Sequence, residues 1–184
     1  MDLARALIGL TLVRDAEAGR TAGRIVEVEA YTVDDPASHA FRGMTKRNAS
    51  MFLAPHRAYI YRIYGTSLCV NVTAEKCGQG AAVLVRALEP IEGLDLMERR
   101  HRAARVRDLC RGPGRLSAAL DVGLELDGAD LVRGTELWIA GPVGPVAAIG
   151  SSVRIGITRA AGRRLRFYEA GSPYLSGPKS LSPA

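Results

Sequence analysis

Two apolar-rich runs open the chain, Leu10-Thr11-Leu12-Val13-Arg14 and Arg24-Ile25-Val26-Glu27-Val28-Glu29-Ala30-Tyr31, with the polar, glycine-containing stretch 15–23 between them. A period of two on either side of a turn predicts a β-hairpin. Ahead of it, Asp2 can cap a short helix in which Leu3 and Leu7, and Ala4 and Ile8, share a face before Gly9 ends it. Residues 32–48 carry Asp34-Asp35-Pro36 and Gly43 with little periodicity, which predicts a long ordered loop. Loops of that length inside a compact domain are usually functional or disordered.

The β-rich runs Ala58 to Ile63 and Leu68 to Thr73 join at Tyr64-Gly65-Thr66-Ser67, and Ala81 to Leu88 is apolar enough for a strand covered on both faces. Pro90 marks the start of a predicted helix running to about Arg107, with Leu94, Met97, His101 and Ala104 on one stripe. A second short helix begins at Gly114 or Arg115. Glu136 to Ala140, Val153 to Thr158 and Leu165 to Tyr168 read as further strands. The stretch 171–184 is rich in Ser, Pro and Gly, and 174–184 is expected to be a flexible tail. No internal repeat or heptad appears. The pattern predicts one α+β domain, residues 1–184, in which strands dominate and most helix lies in the middle.

Composition narrows this picture. With 184 residues and 47% apolar positions, one domain can bury its own core. No run of about 18 apolar residues occurs and the amino terminus lacks a signal-peptide layout, so a soluble, intracellular protein is expected, with no membrane partner. Cys69, Cys77 and Cys110 form no C-x-x-C pair and make no metal-binding spacing with the three histidines. Neither a disulfide framework nor a metal site is indicated. The formal charge is +6, and of the 25 basic residues only Lys46, Lys76 and Lys179 are lysines. That balance fits a nucleic-acid partner or a merely basic soluble protein.

Strand alternation puts Val26, Val28 and Ala30 on one side and Ile25, Glu27, Glu29 and Tyr31 on the other, with the two carboxylates about 7 Å apart. Apolar surroundings would raise a carboxylate pKa toward the range of a general base; a solvated sheet face is the commoner explanation. Tyr64 directly precedes Gly65, near a hairpin tip, where an aromatic can wedge between bases or fold back onto the sheet. Seven arginines between 99 and 115 end in Arg111-Gly112-Pro113-Gly114-Arg115, a turn able to offer backbone N–H groups to a phosphate, or a solvated charged helix face. Neither G-x-x-x-x-G-K-[ST] nor G-x-G-x-x-G is present, against an NTPase or a dinucleotide enzyme. Arg86, inside an apolar strand, calls for an acceptor, Asn71 for specific hydrogen bonds, and His39 by itself for nothing beyond a loop position.

In order along the chain, Gly23-Arg24-Ile25-Val26-Glu27-Val28-Glu29-Ala30-Tyr31, His39, Arg47-Asn48-x-x-Met51-Phe52, Tyr59-Ile60-Tyr61-x-x-Tyr64-Gly65, Cys69-Val70-Asn71-Val72, Val83 to Pro90, Gly112-Pro113-Gly114-Arg115-Leu116 and Arg166-Phe167-Tyr168-x-x-Gly171-Ser172-Pro173 resemble the alkyladenine, or 3-methyladenine, DNA glycosylase family. The likeness runs from about residue 3 to 176. It implies a curved, mostly antiparallel sheet with a protruding β-hairpin and flanking helices. It implies monofunctional hydrolysis of the N-glycosidic bond of flipped alkylated or deaminated purines, of the 3-methyladenine, 7-methylguanine, hypoxanthine and ethenoadenine class, from duplex DNA.

By the same resemblance Glu29 activates the water, while Tyr31, His39, Tyr61 and Asn71 line the base pocket. Asn71 helps to exclude guanine, Tyr64 fills the gap in the duplex, and Arg86, Arg115, Gly112 and Gly114 serve the DNA backbone. Glu27 maps to a position without a catalytic role. The family pattern carries no cofactor or metal and implies a monomer, cytoplasmic and nucleoid-associated in a prokaryote or nuclear in a eukaryote. Pro55-His56 stands where the family commonly has Pro-Gly. The competing readings are a non-catalytic nucleic-acid-binding module on the same scaffold and a small-molecule hydrolase using the Glu27/Glu29 pair. The second leaves the basic surface and Tyr64 unexplained.

Overall fold

A computed structural model describes residues 1–63, 65, 67–101, 103 and 105–183. The two runs that open the sequence form β1 (Thr11–Ala16) and β2 (Gly19–Tyr31), paired antiparallel as a hairpin. The 13-residue β2 organises the sheet. One edge pairs along its length with β5 (Ala82–Glu92); the other pairs first with β1 and then, from Glu27 to Glu29, with β8 (Arg166–Glu169). Beyond β5 lies the second hairpin, β3 (Ala58–Ile63) and β4 (Ser67–Thr73); β6 (Leu137–Ala140) pairs β1 and β7 (Ile149–Ser152) pairs β8. The path runs β3-β4-β5-β2-β1-β6, and among the described residues these strands pair antiparallel throughout, as expected of an α+β protein.

One face of the sheet carries the main core. Helices α1 (Asp2–Leu7), α2 (Leu94–Arg100) and α3 (Pro113–Leu120) supply Leu7, Met97, Leu116 and Leu120 to a buried cluster with Ile25, Val28, Ala30, Val70, Val83, Val85 and Leu88. Truncating a leucine in such a cluster, Leu116→Ala for example, costs about 2–5 kcal/mol. The other face is covered too, by a cluster of Ala40, Met51, Phe52, Tyr59 and Ala82 and by one of Val26, Ala87, Tyr168 and Leu175. Coverage on both sides explains why β5 is apolar on both faces from Ala82 to Leu88 apart from Arg86.

Strict alternation fails at one place that matters. Ile25 lies opposite Leu88 and Glu27 opposite Ala87, so Val26 is an extra residue on β2; Val28 then lies opposite Val85, so Arg86 is extra on β5. Each irregularity shifts the side-chain parity. Ile25 therefore joins Val28 and Ala30 in the main core rather than sharing a face with the glutamates, and Val26 packs on the other side beside Ala87. Because both strands slip, Arg86 ends up facing Glu27 and Glu29.

Two further expectations change. The helix predicted from Pro90 starts at Leu94 instead: β5 continues through Pro90 to Glu92, and Gly93 turns the chain in the left-handed region at φ 72°. A Cβ at Gly93 would meet the Arg20 carbonyl oxygen at 2.3 Å, so only glycine permits this approach. Pro90 faces Gly23 where the ladder is irregular, a position that tolerates a missing N–H. The helix stops at Arg100, with His101 extended; Ala104, expected on its stripe, lies outside the described residues. The strand expected at 153–158 is displaced to Ile149–Ser152, and 153–158 is irregular backbone. Among the described residues no helix is long and apolar enough to cross a membrane.

Candidate active site

β2, β3 and β4, the loop 37–51 and the segment 155–157 enclose a cleft of about 370 Å³. Its walls include Tyr31, His39, Met51, Tyr59, Tyr61, Cys69, Asn71, Arg86, Pro113 and Ile155. This volume falls in the range of small-ligand pockets. The register explains the aromatic wall: Tyr59 and Tyr61 sit two apart on β3 and pair with Asn71 and Cys69 on β4, so all four project to one side. Tyr59 and Tyr61 have ring centroids 5.2 Å apart, and His39 meets Tyr61 edge-on at 4.5 Å.

His39 reaches the cleft from the long loop, which Asn48 ties together. Its Nδ2 donates to the carbonyls of His39 (2.9 Å) and Gly43 (3.1 Å), while its Oδ1 accepts from the Thr45 N–H at 2.6 Å. His39 Nδ1 and the Tyr59 hydroxyl are 2.7 Å apart. Burial, with a smaller push from Arg47, lowers the imidazole pKa and favours the neutral ring, which presents one donor and one acceptor. Asn71 is buried and donates through Nδ2 to the Tyr59 carbonyl at 2.8 Å, which fixes its amide against the wall.

Glu29 is fully buried. Its Oε2 accepts from the Tyr31 hydroxyl (3.1 Å) and Arg86 Nη1 (3.2 Å), and its Oε1 accepts from the Ile155 N–H at 2.7 Å. All three donors belong to residues that line the cleft. Burial pushes the Glu29 carboxyl up; Arg86, the Ile155 N–H and the Tyr31 hydroxyl pull it back only in part, and Glu27 adds a smaller push upward. A carboxylate has about four lone-pair positions, so one on Oε1 stays free.

Glu27, also fully buried, accepts from Arg86 Nε (3.2 Å), Arg166 Nε (2.7 Å), the Ser176 N–H (2.5 Å) and the Ser176 hydroxyl (2.9 Å). Burial opposes the charge on Arg86, but the two glutamates outweigh it and its pKa is raised. Behind Tyr31, the fully buried Arg154 places its guanidinium 4.6 Å from the ring centroid, pairs with Asp35 and donates to the Ala30 carbonyl at 3.0 Å.

Glu29, Tyr31, His39, Tyr61, Asn71 and Arg86 are thus brought to one cleft or its immediate wall. Gly112, Gly114 and Arg115 are not; with Ile63, Ser67 and His101 they line a neighbouring depression, and Pro113 and Ile63 border both. Arg115 is exposed and donates to the Asp108 carbonyl at 3.2 Å. Tyr64, assigned to the duplex gap, lies outside the described residues. Sequence reasoning missed Tyr59 as a wall residue, and it missed Asp35, Asn48, Arg154, Arg166 and Ser176 as supports. A signal existed for two of them: Arg154 and Arg166 sit in short apolar surroundings that need carboxylate partners once buried.

A family model described as methylpurine-DNA glycosylase (MPG) matches residues 1–173. A protein of Mesorhizobium japonicum named "Putative 3-methyladenine DNA glycosylase" is 54% identical over 179 residues, covering 97% of this chain and 86% of its own length. Proteins of the same name from Paraburkholderia phytofirmans and Methanoculleus marisnigri are each 48% identical, covering 98% and 95% of this chain and 85% and 92% of their own. The chain belongs to the methylpurine-DNA glycosylase family. It is accordingly a DNA glycosylase of base-excision repair, a hydrolase of N-glycosyl bonds that takes DNA as substrate.

Proposed function

We propose that the cleft receives a damaged purine swung out of duplex DNA, and that Glu29 activates the water that cleaves its bond to deoxyribose. The observation that carries this reading is a fully buried carboxylate whose three donors all come from the wall of an aromatic cleft. A water held at the free position of Oε1 gives its proton to Glu29 as its oxygen bonds to C1′. The C1′–N bond breaks with its electron pair leaving on the base, and an abasic site remains. The anionic carboxylate also stabilises positive charge developing on the sugar. No lysine lines the cleft among the described residues, which supports water rather than an amine as nucleophile.

Tyr31 and Tyr61 stack on the extruded base, worth about 1–3 kcal/mol per ring, and most strongly on electron-poor alkylated purines. His39 hydrogen-bonds the base. Asn71, with its amide anchored on the Tyr59 carbonyl, cannot turn away to admit the exocyclic amino group of guanine. The substrate range is 3-methyladenine, 7-methylguanine, hypoxanthine and ethenoadenine. Arg86 turns its remaining donors toward the cleft and the rotated phosphate, Gly112, Gly114 and Arg115 meet the backbone beside it, Tyr64 fills the gap in the duplex, and the enzyme works as a monomer without a cofactor.

Duplexes that each carry one of these lesions test the reading. With no metal added, the purified protein is expected to leave alkali-labile sites at the lesion, and Glu29→Gln to retain binding while excision falls about 10²–10⁴-fold. Intact strands after alkali with every lesion, alongside tight binding, would favour the binding-module reading. Turnover persisting in Glu29→Gln would remove Glu29 as the base.

A further inference from the structure

We infer that Glu27 and Ser176 are positioning residues that share the Arg86 guanidinium with Glu29, so that Glu29 is held in place without being over-neutralised. The inference rests on the reading of Glu29 as proton acceptor. Glu27 and Glu29 are equally buried, but the three donors of Glu29 all line the cleft, whereas of the four hydrogen bonds to Glu27 three come from Arg166 and Ser176, which do not. The fourth connects it to Arg86. The Ser176 hydroxyl bridges the two, accepting from Arg86 Nε at 3.3 Å and donating to Glu27 Oε1 at 2.9 Å.

The arrangement is anchored from the carboxyl-terminal segment. Arg166, which donates to Glu27 at 2.7 Å, also donates to the Ser152 hydroxyl (2.9 Å), the Leu181 carbonyl (2.9 Å) and the Ser182 hydroxyl (2.8 Å). Residues 176–182 thus fix Arg166 and Glu27 together, although composition marks that stretch as a tail. Arg86 lies at 3.2 Å from each glutamate, through Nε to Glu27 and through Nη1 to Glu29. Charge interactions add pair by pair, so the negative charge of Glu27 offsets part of the pull that Arg86 exerts on the Glu29 carboxylate. With Glu27 neutral that offset is lost, and Glu29 holds the proton taken from water less tightly.

The charged and titratable groups facing Glu29 bear on the pH dependence. They are Arg86 from β5, Tyr31 and Glu27 from β2, and Cys69 from β4, with the Ile155 N–H completing the set, Arg154 behind Tyr31 and Arg166 behind Glu27. Of these, only Glu27 and Arg166 can be altered without touching a cleft wall or its aromatic backing.

The test uses a duplex carrying the lesion excised fastest, with kcat and KM followed against pH. Glu27→Gln is expected to lower kcat about tenfold, move the acid limb of kcat down by about one pH unit and leave KM within about twofold. Ser176→Ala, a small change at a buried position, should move kcat and the acid limb in the same directions by a few-fold less, and it decides the matter if Glu27→Gln does not fold. A fall in kcat with the acid limb unmoved, the mark of a merely structural loss, overturns the inference, as does a Ser176→Ala enzyme with a wild-type profile. Glu29→Gln run in parallel separates the two readings. If it still turns over, the base assignment fails; if it is inactive while Ser176→Ala is unshifted, only the sharing of Arg86 fails.

Discussion

The two walls of the cleft are built on opposite principles. The wall from β3, β4 and the loop at 37–51 is neutral and aromatic, held by ring packing and by hydrogen bonds such as His39 to Tyr59 and Asn71 to the Tyr59 carbonyl. The wall from β2 and β5 is backed by charge: behind Tyr31 and Arg86, the carboxylates of Glu27 and Glu29 and the guanidiniums of Arg86 and Arg166 form one buried network. A neutral wall can lose a contact and lose only that contact. A buried ionic wall that loses one member leaves an uncompensated charge. Most of the aromatic surface thereby lies on one side, with Tyr31 of β2 the exception, and the titrating carboxylate lies on the other.

Removing the charge that joins the two glutamates should have the largest effect. Arg86→Met is expected to destabilise the fold by about 3–5 kcal/mol, a fall of roughly ten degrees in Tm, read by calorimetry. In whatever folds, the Glu29 carboxyl should rise further and the acid limb of excision move to higher pH. A variant as stable as wild type would show that the ionic wall is less coupled than its geometry implies.

On the aromatic side, Tyr61→Ala should weaken binding of lesion duplex by about 1–3 kcal/mol, with the single-turnover rate changed far less. Titration against an uncleaved substrate, alongside single-turnover kinetics, separates the two. A loss confined to the rate would erase the distinction between the walls.

A smaller effect follows from proton linkage. The Glu29 pKa is raised in the folded protein by burial, so its contribution to stability is full below its ordinary 4.5 and is lost as pH rises through the folded value. Glu29→Gln has no such loss. Its stability relative to wild type, read from melting curves, should therefore climb between acidic and neutral pH by about 1.4 kcal/mol for each unit of upward shift. A difference constant with pH would mean that Glu29 titrates normally.

The smallest change is expected outside both walls. Arg115→Ala should weaken binding a few-fold for damaged and undamaged duplex alike, and reduce the salt slope of binding by about one. An unchanged slope would take Arg115 off the phosphate path.

Much was legible in the residues. The first hairpin, the hairpin at 58–73 and the apolar run of β5 follow from periodicity, because alternation and turn residues are local properties. Glu29, Tyr31, His39, Tyr61 and Asn71 could be named from ordered blocks of resemblance, and the fold brings them to one cleft or its immediate wall. The helix from Pro90 was not legible: a proline suits a helix start, but it equally suits an irregular strand position, and the pairing with Gly23 decided between them. Nor was the strand at 153–158, whose alternating apolar residues would suit a sheet while its actual partners, Asp35 for Arg154 and Glu29 for the Ile155 N–H, are more than a hundred residues away.

What the sequence determined by itself is the inventory: a strand-rich α+β chain, two acids and a tyrosine two apart, and an excess of arginine. Tertiary structure decided which acid takes its donors from the cleft wall and which is enclosed behind it. The double slip between β2 and β5 turns Arg86 toward both glutamates, and residues 176–182 close over Glu27 while leaving the donors of Glu29 along the cleft. The physical reason is that a carboxylate's proton affinity depends on burial and on the distance to other charges, and both are set by segments remote in the chain.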